Sequence, residues 1–324
     1  MCTAISFKAN NHYFGRNLDL YYNYREQITV TPRNFPIKFS MLGELKNHYA
    51  IIGMATVEEV FPLYYDAMNE KGLAAAALNF PGNAHYFNPQ KGRVNLAPFE
   101  VILWVLSNFS TVDEVENAAK NLNIVNIDFS PDLPNTPLHW MISDKNRSLV
   151  LEQVGDGLKI HNNPIGVLTN NPPFEVQTTL LQNYWYLSAK NPEKIFLKNL
   201  KSKPYSLGMG GIGLPGDASS PSRFVRAAFV LENSVCDGEE IAEVGQFFHI
   251  LSSVEQQKGV TEVKKNLFEY TLYSSCLNTG KGIYYYTTYQ NRSITGVDMK
   301  REDLNSNSLI CYDLIKNEKI FFQN

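Results

Sequence analysis

The chain has 324 residues, 44% hydrophobic and 19% charged, with 29 Lys and Arg against 32 Asp and Glu and a formal net charge of -3. Nucleic-acid binding by bulk electrostatics needs a clear basic excess, and disorder needs low hydropathy with high net charge; both are excluded. No window approaches 18 uninterrupted apolar residues, and Met1-Cys2-Thr3-Ala4-Ile5-Ser6-Phe7-Lys8 lacks the basic lead and apolar stretch of a signal peptide, so a cytoplasmic protein with no membrane span is expected.

Strands open the chain. Thr3 to Phe7 alternates, Tyr49 to Val57 is a short apolar run, and Gly72 to Phe80 is a small-residue run with four alanines, the strand least favoured by propensity because Ala prefers helix. Helices follow. Pro98 suits the first turn of a helix through Phe109, and Thr111 with Glu114 forms a capping-box pattern opening a helix over Val112–Leu122. Strands return at Leu138–Asp144 and Ser148–Val154 around the turn at 144–147, and again at Ile165–Thr169. Ser220-Pro221 caps a helix through Leu231, and Glu239–Val254 reads as another. The tail is strand once more, at Glu269–Leu277, Gly282–Tyr289, Gly296–Met299 and Leu309–Leu314. Length alone would allow about two domains at ~150 residues each. Strands at both ends around central helices predict one interleaved sheet system instead, a single domain over 1–324.

The four cysteines, at 2, 236, 276 and 311, have neither zinc-knuckle nor disulfide-framework spacing, and no histidine pair has His-x-x-x-His spacing, so neither metal nor organic cofactor is expected. Cys2 has an unusual address. A residue this small permits removal of Met1, which would place a thiol and a free α-amine on one residue. An α-amine with a reference pKa of roughly 7.7–8.0 can take the thiol proton near neutrality. Arg16 and Asp19, in Phe14-Gly15-Arg16-Asn17-Leu18-Asp19, follow within a hairpin's length: the arginine would favour thiolate and the carboxylate would orient an ammonium. Asn79 and Asn170 end two strands before Phe80-Pro81-Gly82 and Asn171-Pro172, where amides can serve either as turn formers or as oxyanion donors. The aromatic content of 12% fits sheet packing and leaves room for a broad apolar pocket.

Together, Met1-Cys2-Thr3-Ala4-Ile5, Phe14–Asp19, Asn69-Glu70-Lys71-Gly72-Leu73, Leu78–Gly82, Leu168–Pro172, Gly210–Asp217, Ser222-Arg223-Phe224 and Tyr284–Tyr289 resemble the choloylglycine hydrolase family, nearest to its bile salt hydrolases of gut lactobacilli and enterococci. The resemblance spans essentially the whole chain. It implies an α+β fold of the N-terminal-nucleophile type, a four-layer αββα sandwich with two largely antiparallel sheets between helical layers, assembled as a homotetramer. It also implies hydrolysis of the amide between a bile acid and glycine or taurine. Cys2 would be the nucleophile and, once Met1 is gone, its amine the base; Arg16 and Asp19 would arrange them, Asn79 and Asn170 would stabilise the oxyanion, and Arg223 would hold the network. The loops 20–24, 57–65 and 129–138 would frame the steroid, with Leu20, Tyr24, Phe61, Tyr65, Phe129 and Leu133 as contacts.

Two positions depart from the family pattern: Ala74-Ala75-Ala76-Ala77 stands where many relatives carry Gly-Met-Ala-Gly, and Arg25 enters the first substrate loop, where it is expected to be solvated. Three other activities fit the same residues. Penicillin V acylase shares the nucleophile, although the acylases tend to carry Tyr where Asn79 stands. Acyl transfer would follow if an amine rather than water met the thioester. A non-catalytic steroid-binding protein would retain Met1.

Overall fold

The computed structural model describes residues 1–193, 199–200, 202–236 and 238–324. The alternation read at the N-terminus forms strand β1 (Cys2–Lys8), which turns back as β2 (His12–Leu20). The reversal is tied down at its tip: the Asn10 backbone N–H and the Asn11 side-chain amide both donate to the Glu243 carboxylate, at 2.9 Å each. β1 and β2 form the centre of an antiparallel sheet that runs Val167–Leu168, β1, β2, Leu267–Asn278, Ile283–Thr288, Thr295–Asp298, with Thr261–Lys264 joined to Leu267–Asn278.

The second sheet is also antiparallel, in the order Gly157–Asn162, Ser148–Val154, Leu138–Ser143, Ala74–Asn79, Phe61–Asn69, Ile51–Glu58, Gln27–Thr31, Ile310–Asp313. Its last pair joins the tail of the chain to an early strand, and Leu267–Asn278 pairs with β2, so both ends of the sequence share the sheets. Helices α1 (Val101–Asn108) and α2 (Val112–Ala119) cover the outer face of this sheet. Helix α3 (Phe174–Leu181) follows Pro172-Pro173, and α4 (Ser220–Glu232) and α5 (Glu240–Ser252) cover the outer face of the first sheet. The order is therefore helix, sheet, sheet, helix. One apolar cluster fills the space between the sheets and continues under α4 and α5, and a second lies under α1 and α2.

The alanine run forms a strand because its position needs small side chains on both faces. Ala74, Ala76 and Leu78 point into the cluster between the sheets, and Ala75 and Ala77 into the one beneath α1. Tertiary packing overrides the helix propensity of Ala. The capping box at Thr111 and Glu114 is present, but α2 stops at Ala119 because Leu122–Ile124 pairs in parallel with Val94–Leu96. Helix α4 takes Ser219, one residue before the predicted Ser220, as its N-cap.

Gly15 fixes how close the strands around Arg16 can lie. A Cβ there would run into the backbone carbonyl of Ser275 and stand 3.1 Å from Cys276 Cα. Both obstacles are backbone, so no rotamer relieves the overlap. Gly15→Ala is expected to destabilise the fold by about 2–3 kcal/mol, read as a lower urea midpoint at unchanged slope.

Candidate active site

The hairpin register sets the site. Cys2 lies opposite Leu18 and Ala4 opposite Arg16, while the Asp19 backbone N–H donates to the Met1 carbonyl at 3.0 Å. On the other side of β1, Ala4 pairs with Leu168, so the chain leaving Leu168 delivers Asn170 directly to Cys2. The Cys2 backbone N–H donates to Asn170 Oδ1 at 2.7 Å.

The first turn of α4 brings in Arg223. Its Nη1 donates to the Cys2 carbonyl at 2.5 Å and to Thr3 Oγ1 at 2.6 Å, its Nη2 to Asn170 Oδ1 at 2.8 Å, and its Nε to the Ala218 carbonyl at 3.0 Å. The amide of Asn170 can take only one orientation in this network. Its oxygen faces two donors, and its Nδ2 faces the Asn79 carbonyl at 2.7 Å. One Nδ2 hydrogen remains uncommitted. Asn79 differs: only its backbone carbonyl is engaged, and its buried Oδ1 has no hydrogen-bond partner among the described residues. Asn79 ends a strand of one sheet, Asn170 lies two residues past a strand of the other, and the two meet through that single bond.

Arg16 is completely buried between the sheets. Its Nη1 donates to the Tyr65 carbonyl at 3.0 Å and also to the Ala77 carbonyl, while Nη2 has no partner among the described residues. Burial pushes its pKa down, but Cys2, Tyr273, Asp66 and Asp19 outweigh burial and hold it above the ordinary value. Asp19, also fully buried, accepts from Thr271 Oγ1 at 2.6 Å and has its second oxygen without a partner among the described residues. Burial raises its pKa, against the N-terminal amine, Arg223, the Thr271 hydroxyl and Arg16. The α-amine on Met1 donates to the Asp19 carbonyl at 2.8 Å and pairs with Glu269. Its pKa is lowered from 8.0, chiefly by burial; Cys2 and Asp19 pull it up, and Arg223 and Arg16 push it further down.

Cys2, Asn170, Arg223 and Asn79 are thus linked by hydrogen bonds, and Arg16 and Asp19 reach the same point electrostatically. The apolar candidates separate into groups. Leu20 and Tyr65 pack against the cluster between the sheets, and Thr56 Oγ1 links the Tyr65 hydroxyl and the Tyr24 carbonyl, at 2.9 Å each. Phe61 and Phe129 form a three-ring cluster with Phe99, the centroids 5.3–5.8 Å apart. Leu133 is half-buried in a turn with Ser130 and joins neither group. Arg25 is exposed, as expected.

Several supporting residues were not read from the sequence. Thr271 and Glu269 are polar positions among apolar neighbours in the first half of the strand Leu267–Asn278, a signal open to sequence reading. Asp66 crosses between the sheets, accepting from the hydroxyls of Tyr273 at 2.5 Å and Tyr284 at 2.7 Å. Phe99 carries no signal beyond its ring. His139 donates from Nε2 to the Thr169 carbonyl at 2.9 Å, lies 2.9 Å from Glu152, and stacks on Phe80 at 4.3 Å, bracing the segments that carry both asparagines. Among the described residues no cluster of three or more His, Cys, Asp or Glu side chains is disposed to hold a metal, and no helix is long and apolar enough to cross a membrane.

Comparison with known proteins identifies the family. The family model for linear amide C–N hydrolases, choloylglycine hydrolase family, matches residues 2–312. The chain is 52% identical to a bile salt hydrolase/transferase of Lactiplantibacillus plantarum over 97% of each chain. It superposes on a crystal structure of conjugated bile acid hydrolase from Clostridium perfringens with a TM-score of 0.92 and 38% identity, covering 100% of both chains. A penicillin V acylase from Agrobacterium tumefaciens, at 20% identity, TM-score 0.76 and coverage of 98% and 92%, shares the fold. The αββα sandwich is of the N-terminal-nucleophile type, and the chain belongs to the choloylglycine hydrolase family of linear amide C–N hydrolases.

Proposed function

We propose that this chain is a bile salt hydrolase that cleaves the amide of glycine- and taurine-conjugated bile acids through a thioester on Cys2. The observation that carries the reading is the 2.7 Å bond from Cys2 N to Asn170 Oδ1 within the Arg223 clamp. Removal of Met1 turns that nitrogen into an α-amine already held beside its own thiol.

The amine takes the thiol proton, and sulfur attacks the amide carbonyl. Asn79, through its free side-chain amide, and the remaining Nδ2 hydrogen of Asn170 donate to the developing oxyanion, a donor type whose loss costs about 10²–10³ in rate. The amine returns its proton to the leaving glycine or taurine nitrogen as the C–N bond breaks. It then accepts a proton from water, which attacks the thioester and releases the bile acid and the thiol. Arg16 stabilises thiolate, Asp19 holds the amine, and Arg223 fixes both through the backbone of Cys2. Leu20, Tyr24 and Tyr65 on one side, with Phe61, Phe129 and Leu133 on the other, are the proposed steroid contacts.

The chain would act as a single domain over 1–324, in the cytoplasm of a gut-dwelling bacterium exposed to bile. It would assemble as a homotetramer; exposed Trp185, Tyr186, Tyr205 and Leu207 are apolar side chains that assembly would cover.

Side-by-side hydrolysis of taurocholate, glycocholate and penicillin V tests the reading: both bile salts should turn over well ahead of the penicillin, and a preference for the penicillin overturns it. The L. plantarum relative is described as a hydrolase/transferase. Acyl transfer is accordingly the second reading, checked by mass spectrometry of products formed with excess free amino acid.

The pH profile follows from the amine. Burial holds the amine on Met1 below 8.0, and the nitrogen of Cys2, itself buried, lies in the same surroundings. A general base works only unprotonated, so kcat/KM rises with pH through the amine pKa. The rising limb should lie below the roughly 7.7–8.0 of a free α-amine.

A further inference from the structure

Away from Cys2, a cavity of about 210 Å³ opens between the loop before Gln27–Thr31, the strand Leu267–Asn278 and the chain after Ile310–Asp313. Its walls include Glu26, Tyr270, Tyr273, Tyr289 and Lys316, and none of Cys2, Arg16, Asp19, Asn79, Asn170 or Arg223. Glu26 is 3% exposed. One of its oxygens accepts from the Tyr24 backbone N–H at 2.9 Å, and the other is buried with no partner among the described residues. Lys316 is exposed and makes no ion pair among the described residues. A buried carboxylate oxygen without a partner is costly, and a charge-assisted donor is the group that satisfies it.

The walls point to a particular kind of donor. Tyr270 and Tyr289 meet edge to face at 4.8 Å, and Lys258 lies 5.3 Å from the Tyr270 ring centroid, so the Tyr270 ring already stands beside a cation. A water needs about 30 Å³, so the space exceeds a single water or a bare ion, yet it falls below the roughly 300 Å³ at which pockets for drug-sized ligands begin. It suits a molecule of a few heavy atoms. With a carboxylate inside and an ammonium at the rim, the charges complement a molecule that is cationic at one end and anionic at the other.

We propose that this cavity binds a small amino acid or amino sulfonic acid as its zwitterion, the ammonium on Glu26 and the acid group toward Lys316. Binding would act on the chain through the bond from Tyr24 to Glu26, in the loop that the proposed bile salt activity uses to border the steroid; this coupling, unlike the binding, rests on that reading.

The test is calorimetric titration of glycine, taurine and ethylamine into full-length Cys2→Ala protein, which has no turnover to confuse the signal. Saturable binding of glycine or taurine is expected. Glu26→Gln, which keeps an acceptor for the Tyr24 N–H, should weaken all three by about tenfold or more. Lys316→Met should weaken glycine and taurine and leave ethylamine unchanged. Absence of saturable binding, or equal binding by Glu26→Gln, overturns the proposal. So does tighter binding of all three by Lys316→Met, because Lys316 would then be the natural partner of Glu26. If Glu26→Gln fails to fold, Tyr289→Leu removes a wall and leaves the carboxylate, and unchanged affinity there also counts against the site. Because the readout is direct binding, a protein inactive on bile salts that still binds the zwitterions would overturn the proposed activity and leave the cavity assignment standing.

Discussion

Cys2→Ala is expected to lower kcat/KM on conjugated bile salts by on the order of 10⁶-fold, to the background left by binding and oxyanion donors, while leaving the melting transition within about 1 °C of the parent. The size of the loss follows from what the residue supplies. Cys2 carries the attacking sulfur, and its nitrogen, once Met1 is removed, is an α-amine held at Asn170 Oδ1 at the N-terminal end of β1 and so able to act as the base. Cys2→Ser keeps the amine and the hydrogen-bond frame but substitutes a hydroxyl, a far weaker nucleophile at this pH, so its residual rate should exceed that of the alanine variant only slightly. Intact mass gives the companion measurement: active protein should be short by one methionine. Active protein that retains Met1 would remove the amine from the mechanism, because the nitrogen of Cys2 would still be an amide.

Much of this site could be read along the chain. Phe14–Asp19 follows the first alternating strand within a hairpin's length, which placed Arg16 and Asp19 beside Cys2, and the hairpin register agrees. Asn79 and Asn170 were legible as strand ends because Pro follows each of them closely. The roles of the two amides were not legible. That Asn170 turns its oxygen to Cys2 and Arg223, leaving Asn79 as the amide without a partner among the described residues, depends on three donors and a carbonyl from four distant segments. Asp66 was invisible for the same reason: its two tyrosine partners lie more than 200 residues away in the other sheet. The strand Phe61–Asn69 and helix α3 were missed for local reasons. Phe61-Pro62 reads as a break in a strand, and Pro172-Pro173 reads as an ending although Pro173 is the N-cap of the helix that follows. The end of α2 failed on competition, since Leu122 had helical spacing but a better partner in Val94.

Arg223 shows how stability and chemistry are joined in this site, and its truncation should have the second-largest effect. The guanidinium is fully buried and satisfies the Cys2 carbonyl, Thr3 Oγ1, Asn170 Oδ1 and the Ala218 carbonyl from one rigid fork. Arg223→Ala strands those acceptors and removes positive charge facing the buried Asp19, whose pKa Arg223 helps to lower. The fold should lose about 3–5 kcal/mol, measured by urea unfolding. Arg223→Lys restores a charge but not the fork, because one ammonium on a flexible stem cannot replace three nitrogens in fixed geometry. It should recover part of the stability and little of kcat. A purely structural Arg223 would leave the pH profile of the remaining activity unmoved. The site predicts otherwise: Arg223 pushes the pKa of the amine on Met1 down and holds the carbonyl of Cys2, so once Met1 is gone its loss should likewise raise the pKa of the Cys2 amine and move the rising limb of kcat/KM to higher pH. Arg223→Lys, keeping the charge nearby, should leave the limb close to its parental position even where kcat has fallen, which separates the electrostatic role of the residue from its geometric one.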